Sequence, residues 1–472
     1  MIVTLSTKTN GETADAKVIE NPLGTERIGK LMLRFGIPAI ISMLVNAVYN
    51  MTDQVVVGNV VGVLGIAATS IAFPLMTISA ATTYLFGSGG SANYNLRLGE
   101  GNKEAANAVA CNTLSLLAIS GTVIGVIVLI FVHPLVFLFG ATEAVAPYAI
   151  TYTTIIAIGI PFGIFSAGAC YIIRADGSPR FAMICTLSGA IFNMIADPVT
   201  AFVFKWGVAG IAWATTVGQM ITTGIAIYYF SRKTKSVSIK KEWLRPKLHL
   251  AKRISSLGIA PCLNQLGETV LQITLNNTLR FYGALSDYGS DIPLGSVGAI
   301  SKLNAMHAAI TIGIAMGCQP LNGFNFGAKK YDRVKKTLRF AIVAASLVSI
   351  AVFIVYQAFP RKLMAIFGEN DPLYLEFSER YLRVFMLMIF VRGIQPVVAT
   401  FFPSIGNAKH GMWISMSRQI LFIVPLLLVL PLFWGLDGVF FAGPVADFGA
   451  ACVSAVFVFS EMKKISALQS VQ

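Results

Sequence analysis

The chain has 472 residues, of which 55% are hydrophobic and only 12% are charged. Soluble domains typically carry about 25% charged residues, which they need to cover their surface. This composition therefore excludes a soluble enzyme, a disordered protein and a secreted disulfide scaffold. The remaining class is a protein that crosses a lipid bilayer many times.

The net charge of +14 is concentrated in two short stretches of the sequence. Residues 232–253 contain nine basic residues and one acidic residue, and residues 329–339 contain six and one, so the two stretches contribute +13. Both lie between long apolar runs, as is typical of cytoplasmic loops, because Lys and Arg resist translocation. This placement argues against a nucleic-acid partner.

The sequence carries no motif for catalysis or for a bound cofactor. Each of the six cysteines stands alone in an apolar run, without a CxxC or Cys/His cluster, so neither a zinc site nor a disulfide framework is expected. A nucleophile elbow, a Walker loop and a metal-ligand pair are also missing. We therefore predict a protein that is not an enzyme, has no catalytic residues and couples to an ion gradient rather than to ATP.

Twelve apolar segments are long enough to span a bilayer, which requires about 20 residues. Since the strand pattern of a closed barrel is missing, they are predicted to be helices. Along the chain they run over residues 34–61, 66–92, 106–132, 145–173, 179–204, 208–230, 254–283, 297–324, 335–358, 377–402, 410–433 and 438–460.

The two halves of the sequence repeat each other at an offset of 228 residues. This offset brings together the pairs Gly89/Gly317, Gly99/Gly327, Leu135/Leu363, Phe139-Gly140/Phe367-Gly368, Trp206-Gly207/Trp434-Gly435 and Gly210/Gly438. Each half holds six segments, an even number, so both copies enter the membrane from the same side. The predicted fold is an all-α polytopic membrane protein with twelve transmembrane helices in two pseudosymmetric six-helix bundles, a parallel repeat.

The predicted domain boundaries follow from this repeat and from the charges. They are a cytoplasmic tail (1–27), an N-lobe (28–231), a basic cytoplasmic linker (232–253), a C-lobe (254–462) and a second cytoplasmic tail (463–472). Basic residues crowd the loops after helices 2, 4, 6, 8 and 10, which places both termini in the cytoplasm. A cavity between the lobes, open to one side at a time, is expected.

Charged residues within membrane helices usually face a wet cavity or a partner, because burial in lipid is costly. In the N-lobe, Asn193 and Asp197 are four residues apart and share a helix face, Pro198 loosens the helix after them, and Asp53 lies in the same bundle. Two carboxylates in one apolar cavity favour retention of a proton, and oxygen donors suit Na⁺. The alternative is that they cap kinks or pair with Lys or Arg.

The C-lobe carries charges of both signs at Glu268, Lys302, His307, Arg392, Arg418 and Asp447. Glu268 is a candidate for attracting cationic substrates or carrying a second proton, or for pairing with Lys302 or Arg418. Lys302 and His307 are candidates for proton transfer or substrate binding, although a lone His in a helix is commonly a packed polar residue. Arg418 and Asp447 are predicted to form a structural ion pair.

Several segments resemble bacterial multidrug and toxic compound extrusion (MATE) transporters, in particular their MepA-like branch. They are Asn21–Thr25 (NPLGT), Val45–Gly58 (VNAVYNMTDQVVVG), Arg174–Arg180 (RADGSPR), Asn193–Pro198 (NMIADP), Gln319–Lys329 (QPLNGFNFGAK) and Ser417–Ile423 (SRQILFI). The likeness extends over both halves.

The resemblance implies a secondary active antiporter that exports cationic amphipathic drugs in exchange for H⁺ or Na⁺. It implies an ion-coupling site at Asp53, Asn193, Asp197 and Thr215, with Thr216 as the adjacent candidate, and Na⁺ at the first three. Glu268 corresponds approximately to a second coupling carboxylate of some members. No cofactor beyond the coupling ion is expected, and the protein is expected to be a monomer in the bacterial inner membrane.

Two other functions fit the sequence less well than export. A flippase for a lipid-linked sugar would need Arg and Lys facing the cavity to hold a pyrophosphate, whereas the charges here are mixed. An integral membrane enzyme would need acidic metal-binding pairs or a nucleophile with its base, which the sequence lacks.

Overall fold

A computed structural model describes residues 21–366 and 371–470 of the chain. Within these ranges the protein is helical and has no strands. Residues 1–20 of the predicted N-terminal tail, and Phe367-Gly368 of the predicted repeat, lie outside the described residues.

Each of the twelve predicted segments corresponds to a helix or to a pair of helices. In the N-lobe these are α1 (Ile28–Val61), α2 (Leu64–Gly99), α3 (Lys103–Ile130), α4 (Ala146–Ala175), α5 (Pro179–Val203) and α6 (Gly207–Arg232). In the C-lobe they are α7 (Leu248–Ala284), α8 (Asp291–Gly327), α9 (Tyr331–Ala358), α10 (Pro372–Val384 with Ile389–Ser404), α11 (Ala408–Trp434) and α12 (Leu436–Ser470).

Nine of these helices, counted over the described ranges, are long and apolar enough by themselves to cross a membrane. The two parts of α10 are bent by 55° and pass as one span. The remaining two, α6 and α7, have a more polar composition because residues such as Gln219 and Gln272 face internal cavities instead of lipid. The all-α fold of twelve transmembrane helices in two lobes is confirmed.

Local geometry also follows the repeat. Gly207 begins α6 with φ 57°, and its counterpart Gly435 precedes α12 with φ 56°. Such positive values are accessible to glycine without a steric penalty, which explains why a Trp-Gly pair recurs at this turn. Short helices follow α3 and α9 at equivalent places, Val132–Leu138 and Pro360–Ala365.

The two lobes approach each other most closely in the halves of their helices next to the basic loops, a side of the molecule that we call the basic side. There α8 packs on α1 so tightly that a Cβ at Gly317 would lie 2.6 Å from Gly36 Cα. On the other side of the pseudo-twofold axis, a Cβ at Gly258 of α7 would lie 1.8 Å from the Leu85 carbonyl oxygen of α2. Helix contact at this distance requires glycine, so the lobes are closed together on the basic side.

The short segment before α1 docks on the opposite lobe. It forms a helix, Pro22–Thr25, whose Leu23 carbonyl accepts a hydrogen bond from Asn325 Nδ2 at 3.0 Å. Arg333 Nη2 donates to the Glu26 carbonyl at 2.6 Å, and Lys330 Nζ donates to the Gly24 carbonyl at 3.1 Å. The NPLGT sequence is therefore a lead-in to α1 that is held by the C-lobe.

The linker before α7 is held by the N-lobe in a corresponding way. The buried Asp176 carboxylate accepts hydrogen bonds from the backbone N–H groups of Lys235 (2.7 Å), Ser236 (2.7 Å) and Val237 (2.9 Å). In α3, Asn112 Oδ1 accepts from the backbone N–H of Lys247 at 2.7 Å. The basic linker is thus a fixed part of the N-lobe surface.

Several helices extend beyond the predicted apolar segments, and at two places this moves a predicted domain boundary by several residues. Helix α7 begins at Leu248, inside the predicted linker 232–253, and α12 continues to Ser470, through most of the predicted tail 463–472. In both cases charged and polar turns extend an apolar helix beyond its membrane-spanning part. Since hydropathy detects only the apolar part, it places these helix ends too far inward. Residues 471–472 lie outside the described residues.

Candidate functional site

Two carboxyl groups meet inside the N-lobe. Asp197, near the end of α5, is fully buried at 0% exposure, and Asp53 of α1 is 8% exposed. The Asp53 carboxyl group lies beside that of Asp197. In the described part of the chain, neither forms an ion pair with Lys or Arg. The predicted alternative, pairing with a basic residue at a helix end, is not what the structure shows.

Asn193 connects this carboxyl pair to α6. Its Nδ2 donates to Asp197 Oδ1 at 3.1 Å and to Thr215 Oγ1 at 3.1 Å. The first contact follows from the four-residue spacing on one helix face. The neighbouring Thr216 instead donates to the Ile155 carbonyl at 3.2 Å. Of the two threonines considered from the sequence, Thr215 is therefore the one at the carboxyl groups.

Three oxygens of this cluster are buried without a hydrogen-bond partner: Asp53 Oδ1, Asn193 Oδ1 and Asp197 Oδ2. Buried polar atoms are normally paired, because an unpaired group costs about 1–3 kcal/mol. A proton or a small hard cation would satisfy these acceptors, and oxygen donors are what such cations prefer. The donor set thus fits H⁺ or Na⁺.

The backbone near Asp197 is irregular, as the following proline predicts. After Pro198, residues Val199–Val203 form a π-helical turn. Thr200 Oγ1 donates to the Asp197 carbonyl at 3.2 Å and to the Ala196 carbonyl at 2.9 Å, so the hydroxyl satisfies the loosened backbone. A cavity of about 180 Å³ reaches this region, and its walls include Asn193 and Thr215.

A larger cavity of about 390 Å³ lies mainly in the C-lobe. The predicted residues Glu268, His307 and Arg418 contribute to its wall, as do Tyr84 and Tyr171 of the N-lobe. This cavity therefore extends to the lobe interface and brings charges of both signs together.

Glu268 and His307 have neutral partners. Gln419 Nε2 donates to Glu268 Oε2 at 3.3 Å, and His307 Nε2 lies 2.8 Å from Ser349 Oγ. Lys302 is exposed on α8 and does not line the cavity. The structure therefore brings Glu268 and His307 to one cavity but does not bring Lys302 to them, and the alternative pairing of Glu268 with Lys302 or Arg418 is not observed.

Arg418 and Asp447 are joined as the sequence analysis expected. Arg418 Nε donates to Asp447 Oδ1 at 2.6 Å, and the two side chains are only 3% and 2% exposed. In such a buried pair each charge compensates the other, so that loss of one partner would leave the other charge buried and unpaired.

Sequence reasoning did not assign a role to the neutral polar residues of this cavity. Asn264, Asn304 and Gln419 all contribute to its wall, and Gln419 Nε2 also donates to Asn264 Oδ1 at 3.0 Å. The signal that could have found them is the same as for charges: a polar side chain within an otherwise apolar helix. Gln419 moreover lies in the SRQILFI segment.

Comparison with known proteins agrees with these features. A family model described as MatE matches residues 38–199 and 266–429. These segments cover more than half of the chain, and they start 228 residues apart, the offset of the repeat.

Individual relatives match over nearly the whole length. The chain is 26% identical to a multidrug export protein MepA of Staphylococcus haemolyticus (strain JCSC1435), over 93% of this chain and 95% of the relative. It is 24% identical to the protein of that name from Staphylococcus aureus (strain N315), over 91% and 93%.

The fold matches that of a multidrug resistance MATE family transporter of the MOP superfamily, solved in its outward-facing conformation. The TM-score is 0.87 at 23% identity, covering 95% of this chain and 98% of that chain. With both halves matched by the family model and this fold in common, the chain belongs to the MatE family, whose members are membrane transporters and not enzymes.

Proposed function

We propose that the protein is a secondary active antiporter of the bacterial cell membrane. It exports cationic amphipathic drugs or toxic compounds in exchange for H⁺ or Na⁺, by alternating access of the two lobes. The Staphylococcus relatives are multidrug export proteins, which supports export of small molecules. The basic linker and the basic α8–α9 loop support a cytoplasmic location of both termini, and we propose a monomer as the working unit.

The observation that carries the proposal is the carboxyl pair Asp53 and Asp197. Two ionised carboxylates side by side in an apolar interior repel each other, and no basic residue of the described chain neutralises them. A cation must therefore accompany at least one of them. A carboxyl group that needs a cation while it is buried can release this cation when the lobes rearrange and water enters. Ion flow is thereby coupled to the conformation of the protein.

The closure of the lobes on the basic side supports alternating access. If the basic side is cytoplasmic, this conformation faces outward, and ions reach the N-lobe carboxyl groups from outside. Binding of a cation there then favours the return to the inward-facing conformation. The size of this shift in the equilibrium is set by the difference between the cation's affinities for the two conformations.

Ion-driven transport in proteoliposomes tests the coupling site. Asp53→Asn and Asp197→Asn keep the shape of the side chain but remove its charge, and we expect either change to abolish uptake of a fluorescent cation driven by an imposed gradient. Glu143→Gln is the matched control, since Glu143 is an exposed acid in the loop before α4. Full ion-driven transport by both Asp variants would contradict the assignment.

The same vesicles distinguish the coupling ions. A pH gradient and a Na⁺ gradient are imposed separately, and the one that drives dye movement identifies the ion. If neither gradient drives transport of any cationic dye and the protein binds a lipid pyrophosphate directly, the flippase function replaces this proposal.

A further inference from the structure

The C-lobe cavity contains two guanidinium groups that differ in their surroundings. Arg418 is neutralised by Asp447, which lines a neighbouring cavity of about 210 Å³ whose wall also includes both arginines. Arg418 thus has its carboxylate partner within the protein and needs no ligand.

Arg392, on the second part of α10, has no such partner. The Asn304 amide is oriented with its oxygen toward Arg392. This oxygen accepts hydrogen bonds from Arg392 Nη1 at 2.8 Å and from Arg392 Nη2 at 3.3 Å. Among the described residues, no carboxylate lies within salt-bridge distance of Arg392. The neutral amide leaves the positive charge and the remaining N–H donors of Arg392 available to the cavity.

Glu268 is the opposite charge on another wall of the same cavity. Its hydrogen-bond partner is the neutral Gln419, and in the described part of the chain it forms no ion pair. The cavity therefore holds one anion and one cation that are not paired with each other. Because unpaired charges in a membrane interior are costly, this arrangement fits a ligand that carries both charges.

The walls around these charges suit an aromatic body. Tyr381 and Phe385 line the cavity and stack on each other with ring centroids 4.5 Å apart. Tyr84 and Tyr171 add two more rings from the N-lobe, 6.2 Å apart in an edge-to-face arrangement. Aromatic walls favour flat apolar molecules and contribute cation–π attraction to a ligand cation.

We propose that the C-lobe cavity is a binding subsite for zwitterionic aromatic amphiphiles, with a ligand carboxylate on Arg392 and a ligand ammonium or iminium group near Glu268. The planar guanidinium matches a carboxylate through two parallel hydrogen bonds. This inference rests on the proposed export of amphipathic small molecules, and it specifies that a carboxylate on the substrate is recognised.

A pair of dyes that differ in one group tests the inference. A rhodamine with a free benzoate carboxylate is compared with its methyl ester, which keeps the cationic ring system and loses the anion. Binding of each dye to the detergent-solubilised protein is measured by fluorescence polarisation. We expect Arg392→Gln to weaken binding of the free acid at least tenfold, because a charge-assisted hydrogen bond is lost. Binding of the ester should change less than twofold.

Further variants separate recognition from damage to the fold. Arg392→Lys keeps the charge but not the two parallel bonds, so it should bind the free acid with intermediate affinity. Glu268→Gln should weaken both dyes. Lys302→Gln is the matched control, because it removes the same charge from an exposed position of α8 outside the cavity, and it should change neither dye.

Two results would overturn the inference. One is an equal loss of affinity for both dyes in Arg392→Gln, and the other is a wild-type protein that binds the free acid no better than this variant does.

These results are distinct from failure of the proposed function. If the acid binds through Arg392 but no ion gradient drives either dye across proteoliposomes, the antiport is wrong and the subsite stands. If both dyes are driven and Arg392→Gln does not discriminate between them, the subsite is wrong and the antiport stands.

Discussion

Gly99 and Gly327 make reciprocal contacts across the lobe interface on the basic side. A Cβ at Gly99 of α2 would lie 2.1 Å from the Phe324 carbonyl oxygen of α8, and a Cβ at Gly327 of α8 would lie 2.2 Å from the Leu96 carbonyl oxygen of α2. Leu96 and Phe324 are themselves related by the repeat offset of 228. The pseudo-twofold axis thus passes through the closed end of the molecule.

Gly99→Ala should therefore open the basic side. The added methyl group cannot fit at this distance, and overpacking of this kind costs about 1–3 kcal/mol, which the protein avoids by separating the lobes. Spin labels at positions 103 and 336, in a background without the native cysteines, should report longer distances. Gly298→Ala on α8 is the control, because no atom lies within 4 Å of its Cβ position. Unchanged distances in Gly99→Ala would show that the contact does not restrict opening.

Thr215→Val and Thr216→Val should distinguish a role in the proposed coupling site from a role in helix packing. Thr215 meets Asn193 beside the carboxyl groups, so its loss should raise the half-saturating concentration of the coupling ion several-fold, as for one hydrogen bond of about 1 kcal/mol. Thr216 bonds the Ile155 carbonyl, so its loss should lower thermal stability and leave ion affinity unchanged. The measurement is transport rate against ion concentration for both variants. The reverse pattern would move the site to Thr216.

Asp176→Ala should destabilise the linker. The change removes the acceptor of three backbone N–H groups, of which that of Val237 is buried, and an unsatisfied buried donor costs about 1–3 kcal/mol. The melting temperature in detergent should fall by several degrees. Asp437→Ala is the matched control: Asp437 pairs with Arg380 at 2.8 Å but is 42% exposed, and exposed pairs contribute about 0–1 kcal/mol. An equal effect of the two changes would contradict a structural role for Asp176.

Arg418→Gln and Arg392→Gln should differ in their effect on stability. Removing Arg418 leaves Asp447 charged and buried, at a cost of about 3–5 kcal/mol, and the double variant Arg418→Gln/Asp447→Asn should recover part of it. Removing Arg392 leaves no carboxylate behind, so its melting temperature should stay near that of the wild type. Thermal unfolding of the four proteins measures both effects. A similar loss in both single variants would mean that Arg392 is itself part of an essential structural pair.

Much of the fold could be predicted because its signals are local. The twelve apolar segments, the Trp-Gly turns at Gly207 and Gly435, and the irregular turn after Pro198 each depend on neighbouring residues. The helix ends at Leu248 and Ser470 could not be predicted in this way, because hydropathy detects the part of a helix that lies in the bilayer and not its full length.

The site divides in the same way. Asn193 and Asp197 share a helix face by spacing alone, whereas the approach of Asp53 depends on how α1 packs against α5. Tertiary packing determines which face of α8 points inward, with His307 buried and Lys302 exposed. The sequence does not predict this face, because the helix is only weakly amphipathic. The hold of Asp176 on backbone groups about sixty residues away is likewise beyond sequence spacing.

The crossed docking of the two lead-in segments determines where the chain can bend during transport. The C-lobe holds the segment that ends at Glu26, just before α1 begins at Ile28, and the N-lobe holds Lys247, just before α7 begins at Leu248. In the proposed rearrangement of the lobes, each lobe carries with it the residues just before the first helix of the other lobe. The covalent pivots are then the two short joints at 26–28 and 247–248, so the basic linker, long as it is, moves as a rigid part of the N-lobe.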